Sequence, residues 1–447
     1  MTAYLITGAR IVGGEVADLL IDNGEIVAVG TGLTAAGRGG AGDGSGGAAT
    51  GGPADVTTID ATGLIALPGL VDLHTHLREP GREDAETVLT GTRAAALGGF
   101  TAVFAMANTD PVADTAGVVE QVWRLGREAG YADVFPIGAV TVGRQGTQLA
   151  ELGAMADSAA RVRVFSDDGD CVWDAALMRR ALEYVKAFGG TIAQHAQEPR
   201  LTKGAQMNEG ALSGVLGLTG WPSVAEEAII ARDILLNHHV GSKLHICHLS
   251  TKGSVDIVRA AKKRGLEVTA EVTPHHLLLT EDLASSYNPV FKVNPPLRTK
   301  EDVEAVREGL ADGTIDIVAT DHAPHPVEDK DCEWSAAAFG MLGLETALSV
   351  VQHAMVDTKL LTWADVADRM SYRPAAIGQI SDHGQPLVAG APANVVLVDP
   401  AAQRVIVSAE SASLSRNTPF DGMTLPGKVV ATFLRGEPTV LDGKAAK

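Results

Sequence analysis

The chain has 447 residues, with 36 Lys+Arg against 55 Asp+Glu, a formal net charge of −19. So acidic a surface argues against nucleic acid or an anionic membrane as partner, and an anionic small-molecule substrate would need a local positive centre of metal ions or arginine. Hydrophobic residues at 45% allow a large core, and the three scattered cysteines (Cys171, Cys247, Cys332) form no CxxC pair, which suggests reduced thiols and a cytoplasmic home. The N-terminus lacks a basic segment followed by an apolar one, and no apolar stretch reaches the ~18 residues of a membrane span, so neither a signal peptide nor a membrane anchor is expected.

The first 30 residues read as short strands: 4–7, 18–21 and 25–29, the last two joined at Asp22-Asn23-Gly24, a hairpin signal. Residues 31–55 are rich in Gly, Ala and Ser without apolar periodicity, and read as an exposed flexible loop. They contain no GxxxxGK[ST] pattern, so they are not a phosphate-binding loop. From residue 64 strands and helices alternate. Eight candidate strands lie at 64–73, 101–106, 134–140, 162–166, 190–194, 243–247, 267–272 and 315–319. Segments with helical spacing lie between them, among them Ala85–Leu97, Ala175–Phe188, Val224–Asn237 and Val255–Arg264. Eight such alternations predict a (β/α)8 barrel. Strand patterns return at 394–398, 404–407 and 428–434. The expected organisation is α/β, with a barrel over 64–385 flanked by the strand sets of 1–63 and 386–447, whose pairing into one small β-sandwich the patterns alone leave open.

In a barrel of this kind chemistry sits at the C-terminal strand ends. The first strand ends in Asp72-Leu73-His74-Thr75-His76-Leu77-Arg78, where the i, i+2 spacing projects two imidazoles together. The second runs into Asn108, the fourth into Asp167-Asp168, the fifth into His195, the sixth into His248 and the eighth into Asp321. Four imidazoles with carboxylates suit Zn²⁺ or a similar divalent ion. The donors exceed the three of a single catalytic zinc, so two ions are the economical reading, and a carboxylate can bridge them. Arg78 adds a bidentate clamp for a substrate carboxylate.

The segment 72–81 resembles the signature of dihydroorotases within the amidohydrolase superfamily. Glu271-Val272-Thr273-Pro274-His275-His276, Val293-Asn294-Pro295-Pro296-Leu297-Arg298, Ala319-Thr320-Asp321-His322-Ala323-Pro324-His325, Phe339-Gly340 and Gly343-Leu344-Glu345-Thr346 extend the likeness over nearly the whole chain, closest to the bacterial type I class. The resemblance implies two Zn²⁺ per subunit, one held by His74, His76 and Asp321 and the other by His195 and His248, bridged by Asp168 and a hydroxide. Asp167 is the rival bridge. Hydantoinases, which are similar, use a carboxylated Lys there, and the segment 163–168 has no Lys.

The resemblance further implies substrate contacts from His76, Arg78, Asn108, Asn294, His325, Phe339 and Gly340, with Asp321 as catalytic proton shuttle. The implied reaction is reversible cyclisation of N-carbamoyl-L-aspartate to L-dihydroorotate. A homodimer, association with aspartate transcarbamoylase and a cytoplasmic location are implied as well. Rival readings are a hydantoinase- or allantoinase-like relative, and an inactive scaffold for the transcarbamoylase. Ala107 and Ala338 stand where the family usually has Pro, and neither is a ligand position. His245 is expected to be packed or to support a ligand, His275 and His276 to lie near the rim, and Cys247 to be a core thiol.

Overall fold

Asn23 and Gly24, with φ of 50° and 86°, adopt the left-handed conformation that a tight hairpin needs. They join Val16–Asp22 (β2) to Glu25–Gly30 (β3), and β2 lies antiparallel to Ala3–Ile11 (β1). Val56–Asp60 (β4) and Ile65–Pro68 (β5) pair parallel to β1. The computed structural model describes residues 2–34 and 56–446; the expected Gly-rich loop, from residue 35 on, lies outside the described residues.

The apolar run at 64–73 forms two strands in different sheets rather than one. It breaks at Gly69, where a Cβ would stand 2.3 Å from Thr101 Oγ1. Beyond the break Leu70–Thr75 (β6), Phe100–Ala105 (β7) and Asp133–Pro136 (β8) pair in parallel. Val164–Phe165 (β9) and Thr191–Gln194 (β10) follow, with Met207–Asn208 (β11) and Gly220–Trp221 (β12) as a side pair. Lys243–Ile246 (β13), Val268–Val272 (β14) and Ile317–Val318 (β15) complete a second parallel set with β9 and β10. Parallel bridges Gly138↔Phe165 and Thr75↔His322 join the two sets into a closed ring of eight strands. The barrel interior is filled by Val71, Leu73, Phe104, Val164, Ala193 and Ile317. Between the strands, helices Val88–Leu97, Ala175–Lys186, Val224–Val240 and Lys252–Lys263 stand where apolar spacing predicts them.

The last part of the chain returns to the first sheet. Val395–Val405 (β16), expected as two strands, is one long strand with a register shift between Asp399 and Gln403, and it pairs with β5. Thr424–Leu434 (β17), Glu437–Leu441 (β18) and Lys444–Ala445 (β19) extend the sheet. Among the described residues both ends of the chain thus build one nine-stranded sheet, packed around Ile6, Leu19, Ile26, Val395, Leu397 and Phe433.

Candidate active site

In β7, β8, β9, β13 and β15 the ladder ends before the apolar pattern does, and the residues that follow turn into the barrel mouth. His74 lies within β6 and His76 just beyond it; Asp168 follows β9, His195 follows β10, His248 follows β13 and Asp321 follows β15. All six are buried. Arg78, His248 and Asp321 have φ of 62°, 30° and 46°. Non-glycine residues in that region carry strain of roughly 1–3 kcal/mol each, a cost met where geometry serves a site.

The six side chains form two groups that share one carboxylate. His74, His76, Asp168 and Asp321 bring one donor atom each within 4.8 Å of the others, and so do Asp168, His195 and His248. In the second group His195 Nδ1 and His248 Nε2 each lie 3.1 Å from Asp168 Oδ1 and only 2.8 Å from one another. In the first, Asp168 Oδ2 lies 3.4 Å from Nε2 of both His74 and His76, and Asp321 Oδ1 lies 2.9 Å from His76 Nε2. Asp168 therefore presents a different oxygen to each group.

Hydrogen bonds on the far side of three rings settle which nitrogen faces inward. His74 Nδ1 donates to Glu271 Oε1 at 2.6 Å, His76 Nδ1 to Asn108 Oδ1 at 2.8 Å, and His195 Nε2 to Gln197 Oε1 at 2.6 Å. Each ring then turns its other nitrogen toward the carboxylates, the outer partner fixing its direction as around bound metals. His74 Nε2 is buried and has no hydrogen-bond partner among the described residues. An orphaned inward nitrogen beside two converging imidazoles and two carboxylates fits divalent cations.

Charge reinforces the same reading. Burial alone would depress the His74 imidazole, yet Asp168, Glu271 and Asp321 hold its pKa well above the ordinary value. Burial likewise opposes ionisation of Asp168, but the charge of His74 and hydrogen bonds from His195 and His248 keep it well below the usual carboxylate range. Asp321, against the same burial, is brought down to about 2 by His74 and His76. Both carboxylates are thus anions at neutral pH, as ligands must be.

Above the donors sits a cationic rim. Burial and the nearby Arg82 charge lower Arg78 only to about 10, so it stays charged. Its Nε donates to Pro324 O at 3.1 Å, and its Nη2 lies 3.4 Å from His325 Nε2. His325, pushed down to about 3 by burial and by Arg78, is neutral, and its Nε2 donates to Phe339 O at 2.8 Å. Gly340 adjoins: a Cβ there would meet His325 Nε2 at 2.7 Å. Asn294 Nδ2 donates to Gln197 Oε1 at 3.1 Å, leaving its buried Oδ1 without a partner among the described residues.

The geometry also separates the two adjacent aspartates. Asp167 accepts from Val140 N, Thr141 N and Thr141 Oγ1 at 2.8, 3.0 and 2.5 Å, so its oxygens are spent on the 140–141 backbone. Cys247 is a core thiol, but it also lies within donor reach of His74 and Glu271, because β13 ends at Ile246 and simple alternation stops there. His245 donates from Nε2 to Glu271 Oε2 at 2.9 Å, and so backs the carboxylate that orients His74. Sequence reasoning missed Gln197, Glu271 as an orienting group, and Arg144, whose Nη1 holds Asp168 O at 2.6 Å. Two of them had a local signal: Gln197 follows His195 at i+2, and Glu271 is a lone carboxylate one residue before the end of an apolar strand pattern.

Known proteins bear on this geometry in three ways. A dihydro-orotase-like family model matches residues 63–254. A dihydroorotase of Streptomyces coelicolor is 68% identical over 444 residues, covering 99% of this chain and 100% of its own length. A dihydroorotase of Mycobacterium tuberculosis is 54% identical over 443 residues, with 99% of each chain covered. Among solved structures, the L-hydantoinase (dihydropyrimidinase) of Arthrobacter aurescens superimposes with a TM-score of 0.85 over 100% of this chain and 98% of its own, at 24% identity, a likeness of fold.

Proposed function

The chain belongs to the dihydroorotase family, and from that premise we propose which of its residues carry out the reaction. The protein is an enzyme of cyclic-amide chemistry: it interconverts N-carbamoyl-L-aspartate and L-dihydroorotate, with loss of water in the direction of cyclisation, a step of pyrimidine biosynthesis. The observation that carries the residue assignment is the sharing of Asp168 between two sets of inward-facing imidazoles.

In this reading His74, His76 and Asp321 would hold one Zn²⁺ and His195 and His248 a second, with Asp168 shared between the two sets. Bound cations would supply Lewis acidity toward the ring carbonyl and a lowered pKa for water. Arg78 grips the substrate carboxylate through a charge-assisted pair, with neutral His325 beside it and the amide Nδ2 of Asn108 as a further donor, since Asn108 Oδ1 is engaged by His76. Asn294 Oδ1 accepts from a substrate N–H, and Phe339-Gly340 bound the same pocket. Fixing the ring in this way supplies the orientation that the reaction needs. Asp321, an anion at neutral pH, takes the proton of the attacking water in ring opening and passes it to the leaving ring nitrogen; cyclisation reverses both transfers. The family reading also carries a cytoplasmic homodimer able to associate with aspartate transcarbamoylase. Among the described residues no helix is long and apolar enough to cross a membrane.

The test pairs metal analysis with turnover. Wild-type protein should bind two zinc ions per chain and interconvert the two compounds, while Asp321→Asn should fall by roughly 10²–10⁴ in kcat, the usual worth of a general acid–base. Full activity in Asp321→Asn would remove the shuttle assignment. One bound ion at full activity would remove the bridged pair.

A further inference from the structure

The segment between Asp331 and Gly340 has no regular secondary structure, yet it carries Phe339 and Gly340 to the rim. Backbone carbonyls in such a segment must find donors or stay unpaired. Here two lysine ammonium groups supply them. Lys292, with only 2% of its surface exposed, donates from Nζ to Trp334 O, Ser335 O and Ala337 O at 2.7, 3.2 and 2.7 Å. Lys330 donates from Nζ to Pro289 O, Lys292 O and Ala338 O at 3.1, 3.0 and 2.7 Å. An ammonium has three donors and no acceptor, so each lysine is used to capacity. Neither ammonium has a carboxylate within ion-pair distance among the described residues.

The two are linked to one another and to the rim. Lys292 O, one of the carbonyls held by Lys330, also accepts from Gly340 N at 3.0 Å. The Lys292 ammonium lies 4.5 Å from the centre of the Phe339 ring, a cation–π approach. The next carbonyl along, Phe339 O, receives His325 Nε2, which neighbours Arg78. From Lys330 through Lys292 to Gly340, Phe339 and His325 the chain of contacts is continuous.

We propose that Lys292 and Lys330 are positioning residues for substrate: their ammonium groups hold the 331–340 segment so that Phe339, Gly340 and His325 stand in register with Arg78. The proposal rests on the reading of the rim as the substrate site. Both ammonium groups are taken up by backbone carbonyls, none of them of a residue assigned to a metal. Their removal therefore acts on binding of the substrate carboxylate and leaves the metal centre as it is.

The experiment measures KM, kcat and bound zinc for Lys330→Met and Lys292→Met, with the corresponding Gln variants for any Met variant that does not fold. Met keeps length and apolar volume while deleting three donors. Expected is a tenfold or greater rise in KM for dihydroorotate, with kcat within threefold of wild type and zinc content unchanged. A KM within twofold of wild type in folded, zinc-loaded variants would overturn the proposal. So would a joint loss of kcat and zinc, which would mark a general structural role. Failure of the wild-type protein to turn over dihydroorotate would instead overturn the function on which the proposal stands.

Discussion

Replacing Glu271 by Gln should weaken metal binding without removing the protein's ability to use metal. The carboxylate is 1% exposed and serves three donors. Oε1 accepts His74 Nδ1 at 2.6 Å and His248 N at 3.1 Å, and Oε2 accepts His245 Nε2 at 2.9 Å. Glu271→Leu would strand all three, at about 1–3 kcal/mol each, a total comparable to a protein's whole stability of ~5–15 kcal/mol. Gln is the sharper probe. Its carbonyl can keep His74 and His248, and its amide can face His245 once that ring moves its proton to Nδ1, which Thr269 Oγ1 can accept at 2.8 Å. What is lost is the negative charge that makes His74 a stronger ligand. Such outer partners are worth roughly 10–100-fold in metal affinity, about 1.4–2.7 kcal/mol. Competition against a chelator of known affinity, read as zinc retained per chain, should show that drop, with kcat at saturating zinc within threefold of wild type. Unchanged zinc affinity in a folded Glu271→Gln protein would refute the reasoning.

Other perturbations separate substrate contacts from structural ones. Arg78→Met deletes a charge-assisted pair worth about 1.5–3 kcal/mol, so kcat/KM should fall by roughly 10–150-fold with zinc content intact. Steady-state kinetics on carbamoyl aspartate decides it. Gly340→Ala places a Cβ 2.7 Å from His325 Nε2 and 2.8 Å from Ala323 Cβ, at φ +143°, so kcat/KM should drop while the fold, followed by circular dichroism, persists. The pH dependence of stability should differ with and without metal. His74's pKa is raised above its ordinary 6.5, so its contribution to the metal-free protein is complete below that pH and is lost as pH rises through the raised value. Metal needs the unprotonated ring, so binding strengthens over the same range. The gap in Tm between zinc-loaded and chelator-treated protein should therefore widen from pH 6 to 9; a constant gap would contradict the assignment of His74.

Much of the site is legible locally. The i, i+2 spacing of His74 and His76 brings their ring centres to 5.4 Å, and a His or Asp after five strand patterns marks one rim of a barrel. The hairpin at Asn23-Gly24 is equally local. Other features are invisible one segment at a time. Asp167 and Asp168 are the same residue type in adjacent positions. Only the approach of the 140–141 backbone, far away in the chain, occupies one and frees the other. The apolar run at 64–73 hides its division at Gly69 because the obstacle there is the side chain of Thr101.

By itself the sequence determined that strands and helices alternate and which donors follow the strands, since periodicity and residue chemistry act over a few positions. Tertiary structure alone decided that both termini share one sheet, that Glu271 and Gln197 aim the imidazoles, and that two lysines tie down the 331–340 segment. The physical reason is the same in each case. A buried hydrogen-bonding group must find a partner wherever the fold brings one, and that partner need not be near it in the chain.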